Sequence, residues 1–127
     1  MEQEYIKGDI VMYDNKIHTI MDTLGINNYE LSCVKHPVHQ LELSGVPLTL
    51  EILEKNGWDF TGYQMDNNGS MLNICGKRDI LPCLYYYYST ENFIVYICGK
   101  VVLPNMKYIH ELQHLLFGFS INHEMEV

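Results

Sequence analysis

Asp9-Ile10-Val11-Met12-Tyr13-Asp14-Asn15-Lys16-Ile17-His18-Thr19-Ile20-Met21-Asp22 is the stretch whose reading decides the fold. An apolar run leads into Asp14-Asn15, a pair that favours tight turns. Beyond it Ile17, Thr19 and Met21 alternate with His18, Ile20 and Asp22. Two short runs around a polar dipeptide predict a β-hairpin. Asn27-Asn28 opens a further strand over Tyr29–Cys33, His36-Pro37 breaks it, and Val38–Leu43 alternates again. Four short, regularly spaced strands over residues 1–45 predict a small SH3-like β unit.

Downstream of Ser44-Gly45-Val46-Pro47, Thr49 is placed to cap a short helix over Leu50–Lys55 that Gly57 stops. Strand patterns return over Phe60–Met65, Met71–Cys75, Ile80–Tyr88 and Phe93–Cys98, with polar turns between them. This predicts an antiparallel meander. After Pro104, Ile109, Leu112, Leu115, Leu116 and Phe119 recur at helical spacing, an amphipathic helix with one face toward a core. The expected architecture is α+β in a single domain of residues 1–127. Residues 1–45 form the barrel-like part. Residues 46–127 form the linking helix and the meander packed on the C-terminal helix. Residues 122–127 read as a frayed acidic tail.

Length and composition narrow the functions. A chain of 127 residues can bury a core without staples. Its formal net charge of -8, with Arg78 the one arginine, argues against a nucleic-acid polymer as partner. The four cysteines form no C-x-x-C pair, and the acidic start Met1-Glu2-Gln3-Glu4 is unlike a signal peptide. No apolar run reaches the length of a membrane span. The expectation is a cytoplasmic protein with reduced thiols, no membrane association and no cofactor.

His110-Glu111-Leu112-Gln113-His114 matches H-E-x-x-H, in which two imidazoles one helical turn apart hold zinc and the glutamate activates water. The match lacks its context. His123 is the one histidine after it, nine residues on, and metzincin spacing finds Phe117 and Ser120 instead of Gly and His. A catalytic role is therefore not expected, and a zinc-dependent hydrolase using His110 and His114 stands as the second alternative. Cys33, His36 and His39 have ligand chemistry, but strand residues three apart point to opposite faces.

Tyr85-Tyr86-Tyr87-Tyr88 is the least ordinary run. On a strand it splits two and two between faces. One pair can fill the core, and the other can form a rim, an oligomer contact or a stacking platform. More apolar sheet surface is on offer than one helix can cover, which predicts a homo-oligomer, most simply a dimer.

Two segments carry a resemblance. Val46-Pro47-Leu48-Thr49-Leu50-Glu51-Ile52-Leu53-Glu54-Lys55-Asn56-Gly57-Trp58 resembles IPLTEEILLKLGF. Tyr108-Ile109-His110-Glu111-Leu112-Gln113-His114-Leu115-Leu116-Phe117 resembles YVHQLQNLYFALTG. Both are typical of short phage and prophage proteins of Bacteroidetes, and Tyr5-Ile6-Lys7-Gly8-Asp9-Ile10-Val11 is similar to their LRIGNLV start. His110 and Gln113 match that pattern. Glu111 and His114 stand where it has Gln and Asn, so H-E-x-x-H is not a feature of the family.

The phage association implies an accessory role in the host bacterial cell. Small phage proteins that sequester nucleotide immune signals (sequestin-like sponges) are similar in character. The leading expectation is binding of a cyclic ADP-ribose-type or cyclic dinucleotide signal without cleavage. Trp58, Tyr86 and Tyr88 would stack on the base. Arg78, Lys100 and Lys107 would meet phosphate, and Tyr108, His110 and Gln113 would supply polar contacts. The alternative is a protein-binding adaptor or inhibitor of a host factor, using Tyr13, Tyr29 and the 36–39 loop.

Overall fold

The computed structural model describes residues 4–127. It contains ten strands and two α-helices, α1 (Leu50–Lys55) and α2 (Ile109–Gly118). Antiparallel sheets and helices together make the fold α+β, as expected. The described chain divides into two compact units, residues 4–47 with 108–125, and residues 48–107 with 126–127.

The first unit holds β1 (Ile10–Tyr13), β2 (Lys16–Thr23), β3 (Asn28–Leu31), β4 (Val38–His39) and β5 (Ser44–Gly45), in the order β4-β3-β2-β1-β5. Tyr13 pairs with Lys16, and the two residues between them, Asp14 and Asn15, have φ of 50° and 60°. Positive φ at both central positions makes a turn whose twist matches that of the strands. A single 3-10 turn, Gln40–Glu42, separates β4 from β5. Tyr5, Val11, Ile20, Tyr29, Leu31 and Val38 form the core.

That core has a polar seam. The Tyr29 hydroxyl donates to Gln40 Oε1 at 2.8 Å and accepts from the Tyr5 N–H at 3.3 Å. Tyr29 is fully buried, so the expectation that it edges a partner groove is corrected.

Helix α2 belongs to this first unit. The expectation packed it on the meander. Instead its buried Gln113 bonds to the segment entering β1, and the Ile109 N–H donates to Val46 O at 2.9 Å. Amphipathic spacing shows that a helix has a buried face but does not say what covers it. The closing segment is also ordered against the helix, since the Ile121 N–H donates to Leu116 O and the His123 carbonyl accepts from Gln113.

The second unit opens with α1, where Thr49 Oγ1 accepts from the Ile52 N–H at 3.2 Å and Gly57 follows at φ 86°. A meander follows: β6 (Asp59–Met65), β7 (Met71–Gly76), β8 (Cys83–Tyr87), β9 (Asn92–Ile97) and β10 (Lys100–Met106). Their order is β10-β9-β8-β7-β6. The sequence pattern missed β10 because Pro104 lies within it. The strand tolerates proline because it is at the sheet edge and its register shifts on both sides of Leu103. Opposed residues share a face, so Cys75, Leu84 and Val95 make one buried row, and buried Asn73, Phe93 and Met106 with half-buried Tyr86 make the next.

Tyr29→Phe leaves the polar seam without its central hydroxyl. It should lower stability by about 1–3 kcal/mol, read from urea unfolding, whereas Tyr63→Phe, at an exposed ring, should leave the midpoint unchanged.

Candidate functional site

In the first unit every polar side chain of the H-E-x-x-H stretch can be followed to its partners. Gln113 is fully buried. Its Oε1 accepts from the Ile10 N–H at 2.8 Å, and its Nε2 donates to Gly8 O at 2.8 Å and to His123 O at 2.9 Å. One amide thus satisfies three backbone groups from two distant segments. The expected ligand contact at Gln113 is corrected: it has no exposed surface to offer.

His114 Nε2 meets Asp9 Oδ2 at 2.5 Å, and the same oxygen accepts from the Ile6 N–H at 2.9 Å. Asp9 is fully buried and its other oxygen has no partner. The hydrogen bond to Asp9 raises the His114 pKa against the opposing effect of burial. A buried carboxylate beside a protonated imidazole is a charge-assisted pair. Glu111 Oε1 accepts from the Tyr108 N–H at 3.0 Å and so caps the first turn of α2.

His110 is buried, edge-on to Tyr5 at 5.1 Å and stacked beside Tyr108 at 5.8 Å. Burial lowers its pKa, so the imidazole is neutral at pH 7, and its Nδ1 has no partner. Burial likewise pushes the Tyr5 phenol up to about 12. Gly45 permits this packing: a Cβ there would stand 2.6 Å from the Tyr108 ring and 3.0 Å from His110 Cε1.

The His110 and His114 rings are 5.7 Å apart at 70°. Two zinc ligands must aim free nitrogens at one point, but His114 Nε2 is directed at Asp9. Among the described residues no group of three or more His, Cys, Asp or Glu is arranged to hold a metal. His39, of the Cys33-His36-His39 set, accepts the Leu41 N–H on Nδ1 and caps the 3-10 turn.

Two of the recesses formed by the described residues lie on this unit. A polar one of about 390 Å³ lies at the start of α2, lined by Glu4, Tyr5, Ser44, Tyr108, His110 and Glu111 among others. Its walls carry two carboxylates and a neutral histidine, a poor electrostatic match to phosphate. The larger, about 580 Å³, is a groove walled by Ile10, Ile20, Met21, Phe117 and Met125, with Lys7 and Glu124 beside them. Sequence reasoning missed this groove because it took residues 122–127 for a frayed tail. A period-two signal was present: Ile121, His123 and Met125 are half-buried while Asn122 and Glu124 are exposed. His123 holds the tail through Nε2 to Lys7 O at 3.1 Å and an edge-on contact with Phe117 at 5.2 Å.

In the second unit the expected nucleotide-binding residues are dispersed. Trp58 is in the core, 3% exposed, and is corrected as a stacking platform. Arg78 lies in the β7–β8 connection and Lys100 just beyond the β9–β10 turn, both at one end of the sheet. Tyr86 and Tyr88 lie toward the other end, past the middle of β8. Lys107 follows Met106, which pairs with Phe93 beside Tyr86, so it is the one expected cation at the tyrosine end. There Tyr88 stacks on Tyr63 at 4.9 Å and meets Tyr86 edge-on at 5.0 Å. Sequence reasoning did not single out Tyr63, which is 73% exposed.

Comparison of the chain with family models, with curated proteins and with solved structures finds no match. No helix among the described residues is long and apolar enough to cross a membrane.

The two neighbouring histidines should titrate stability in opposite directions. Folding raises the His114 pKa, so its pair with Asp9 contributes fully below the ordinary value of 6.5 and fades as pH rises through the folded value. His110 has a depressed pKa, so its contribution holds above 6.5 and is lost as pH falls. A double-mutant cycle of Asp9→Asn and His114→Gln should show a larger coupling near about pH 5.5 than near about pH 8.5. Equal couplings would contradict the pairing.

Proposed function

We propose that the chain is a non-catalytic phage accessory protein, an adaptor or inhibitor that binds a host protein in the bacterial cytoplasm. The observation that carries this reading is the groove of about 580 Å³ in the first unit, whose walls are mainly apolar. Met21 and Phe117 at its edge are 48% and 57% exposed. Large apolar side chains held open in a groove are what a partner's apolar side chain buries on binding.

We further infer that the first unit is a small SH3-like barrel. The strand order β4-β3-β2-β1-β5 and the 3-10 turn before β5 support this. The fold does not by itself assign the activity, so the reading rests on the groove. A formal net charge of -8 favours a partner whose apolar contact is flanked by basic residues. The engagement of Glu111 as a helix cap and of His114 by Asp9 favours binding over hydrolysis.

Met21→Glu and Phe117→Glu, each at an exposed position, should cut recovery of the host partner at least roughly tenfold while leaving the unfolding midpoint in place. Recovery unchanged in both variants would remove the groove as the binding surface.

A second reading, sequestration of a cyclic nucleotide signal, is favoured by one observation, the Tyr63–Tyr88 stack with Tyr86 against its edge. A base laid on the open face of Tyr63 would extend that stack, a contact worth ~1–3 kcal/mol per base. Calorimetric titration with cyclic ADP-ribose isomers and cyclic dinucleotides tests it. Heat that Tyr63→Ala abolishes, with ligand recovered intact, supports this reading. Absence of heat across the panel sinks it.

A further inference from the structure

The meander has a second face that its buried rows do not use. Alternation along each strand puts Leu72, Ile74, Tyr85, Tyr87, Ile94 and Tyr96 on it, as the registers Leu72–Tyr87, Ile74–Tyr85 and Tyr85–Ile94 confirm. Leu72 is buried, the others are half-buried, and Val101 beside Tyr96 on β10 is 50% exposed. Tyr85 and Tyr96 rest against each other at 4.2 Å. Burial, then Tyr96, Asp66 and Tyr85, raise the Tyr87 pKa, so that phenol stays neutral.

We propose that this aromatic face is a self-association surface on which a second copy of the chain docks face to face, with its strands running antiparallel to those of the first. Three observations point to this occupant. The first is charge. A molecule with a net charge of -8 repels its own copy over most of its surface, while the face across β7, β8 and β9 is built of uncharged side chains. The second is the state of the sheet edges. Both outer strands, β6 and β10, have register shifts, and β10 carries Pro104, which has no N–H to donate. Such edges resist pairing with another strand, so the open face is the better route to association.

The third is polarity along the strands. Asp66 and Glu91 stand at one end with Lys107, and Lys77, Arg78 and Lys100 stand at the other with Asp59 and Asp79, a net acidic end and a net basic one. A two-fold axis lying between the sheets and across the strands places the acidic turns of each copy against the basic turns of the other. An axis along the strands would set like against like. The contact is isologous and closed, so it stops at two copies.

Sedimentation of the full chain over a concentration series tests this. The expected species is twice the 14.8 kDa chain, with Tyr87→Lys and Tyr96→Lys each raising the dissociation constant roughly tenfold or more. Glu91→Lys and Arg78→Glu should each weaken the dimer, and the double variant, which restores the net charge, should recover it. A 14.8 kDa species at every concentration overturns the proposal. So does a dimer indifferent to both tyrosine substitutions, or a charge-swapped pair no tighter than the single variants.

Discussion

One buried amide holds the first unit together. Gln113 takes the Ile10 N–H and gives its own protons to the carbonyls of Gly8 and His123. The start of β1, the middle of α2 and the closing segment therefore meet at a single side chain. Buried backbone groups must be paired, and no apolar residue of similar shape could pair these three. The arrangement needs Gly8 at φ 95°, where an added Cβ would lie 2.9 Å from His123 Nε2. It is reinforced one turn along the helix, where His114 meets the carboxylate of Asp9.

This clamp explains why a catalytic-looking string need not be catalytic. Each polar member of His110-Glu111-Leu112-Gln113-His114 has a use in the fold: His110 fills space beside Tyr5 and Tyr108, Glu111 caps α2, Gln113 clamps, and His114 pairs with a buried aspartate. The spacing that puts two zinc ligands on one helical face also puts two structural histidines there. What separates the cases is where the ring nitrogens point, which sequence does not record. The groove proposed as the binding surface is shaped by the same clamp, because the Gln113 bonds to Gly8 and His123 hold two of its walls.

The elements were legible where local chemistry dictates them. Asp14-Asn15 announces a two-residue hairpin, Thr49 and Gly57 bound a helix, and polar turns punctuate the meander. Three things were not legible, for identifiable reasons. The partner of α2 is set by Gln113, a polar residue inside an apolar stripe, and periodicity treats it as noise. Pro104 hides β10 because an edge strand can lack a donor where an inner strand cannot. At the site, Trp58 and Tyr29 are aromatic like Tyr63, yet two are core and one is open. Composition sees three equivalent rings, and only tertiary burial distinguishes them.

Hydrogen exchange at the Ile10 amide tests the clamp most directly, because that proton is donated to Gln113 Oε1. The account predicts that it exchanges only when the whole first unit opens, and that Gln113→Ala lowers its protection together with the order of residues 121–125, before global stability is lost. An Ile10 amide that exchanges rapidly in the unmodified chain, or protection unchanged by Gln113→Ala, would contradict it.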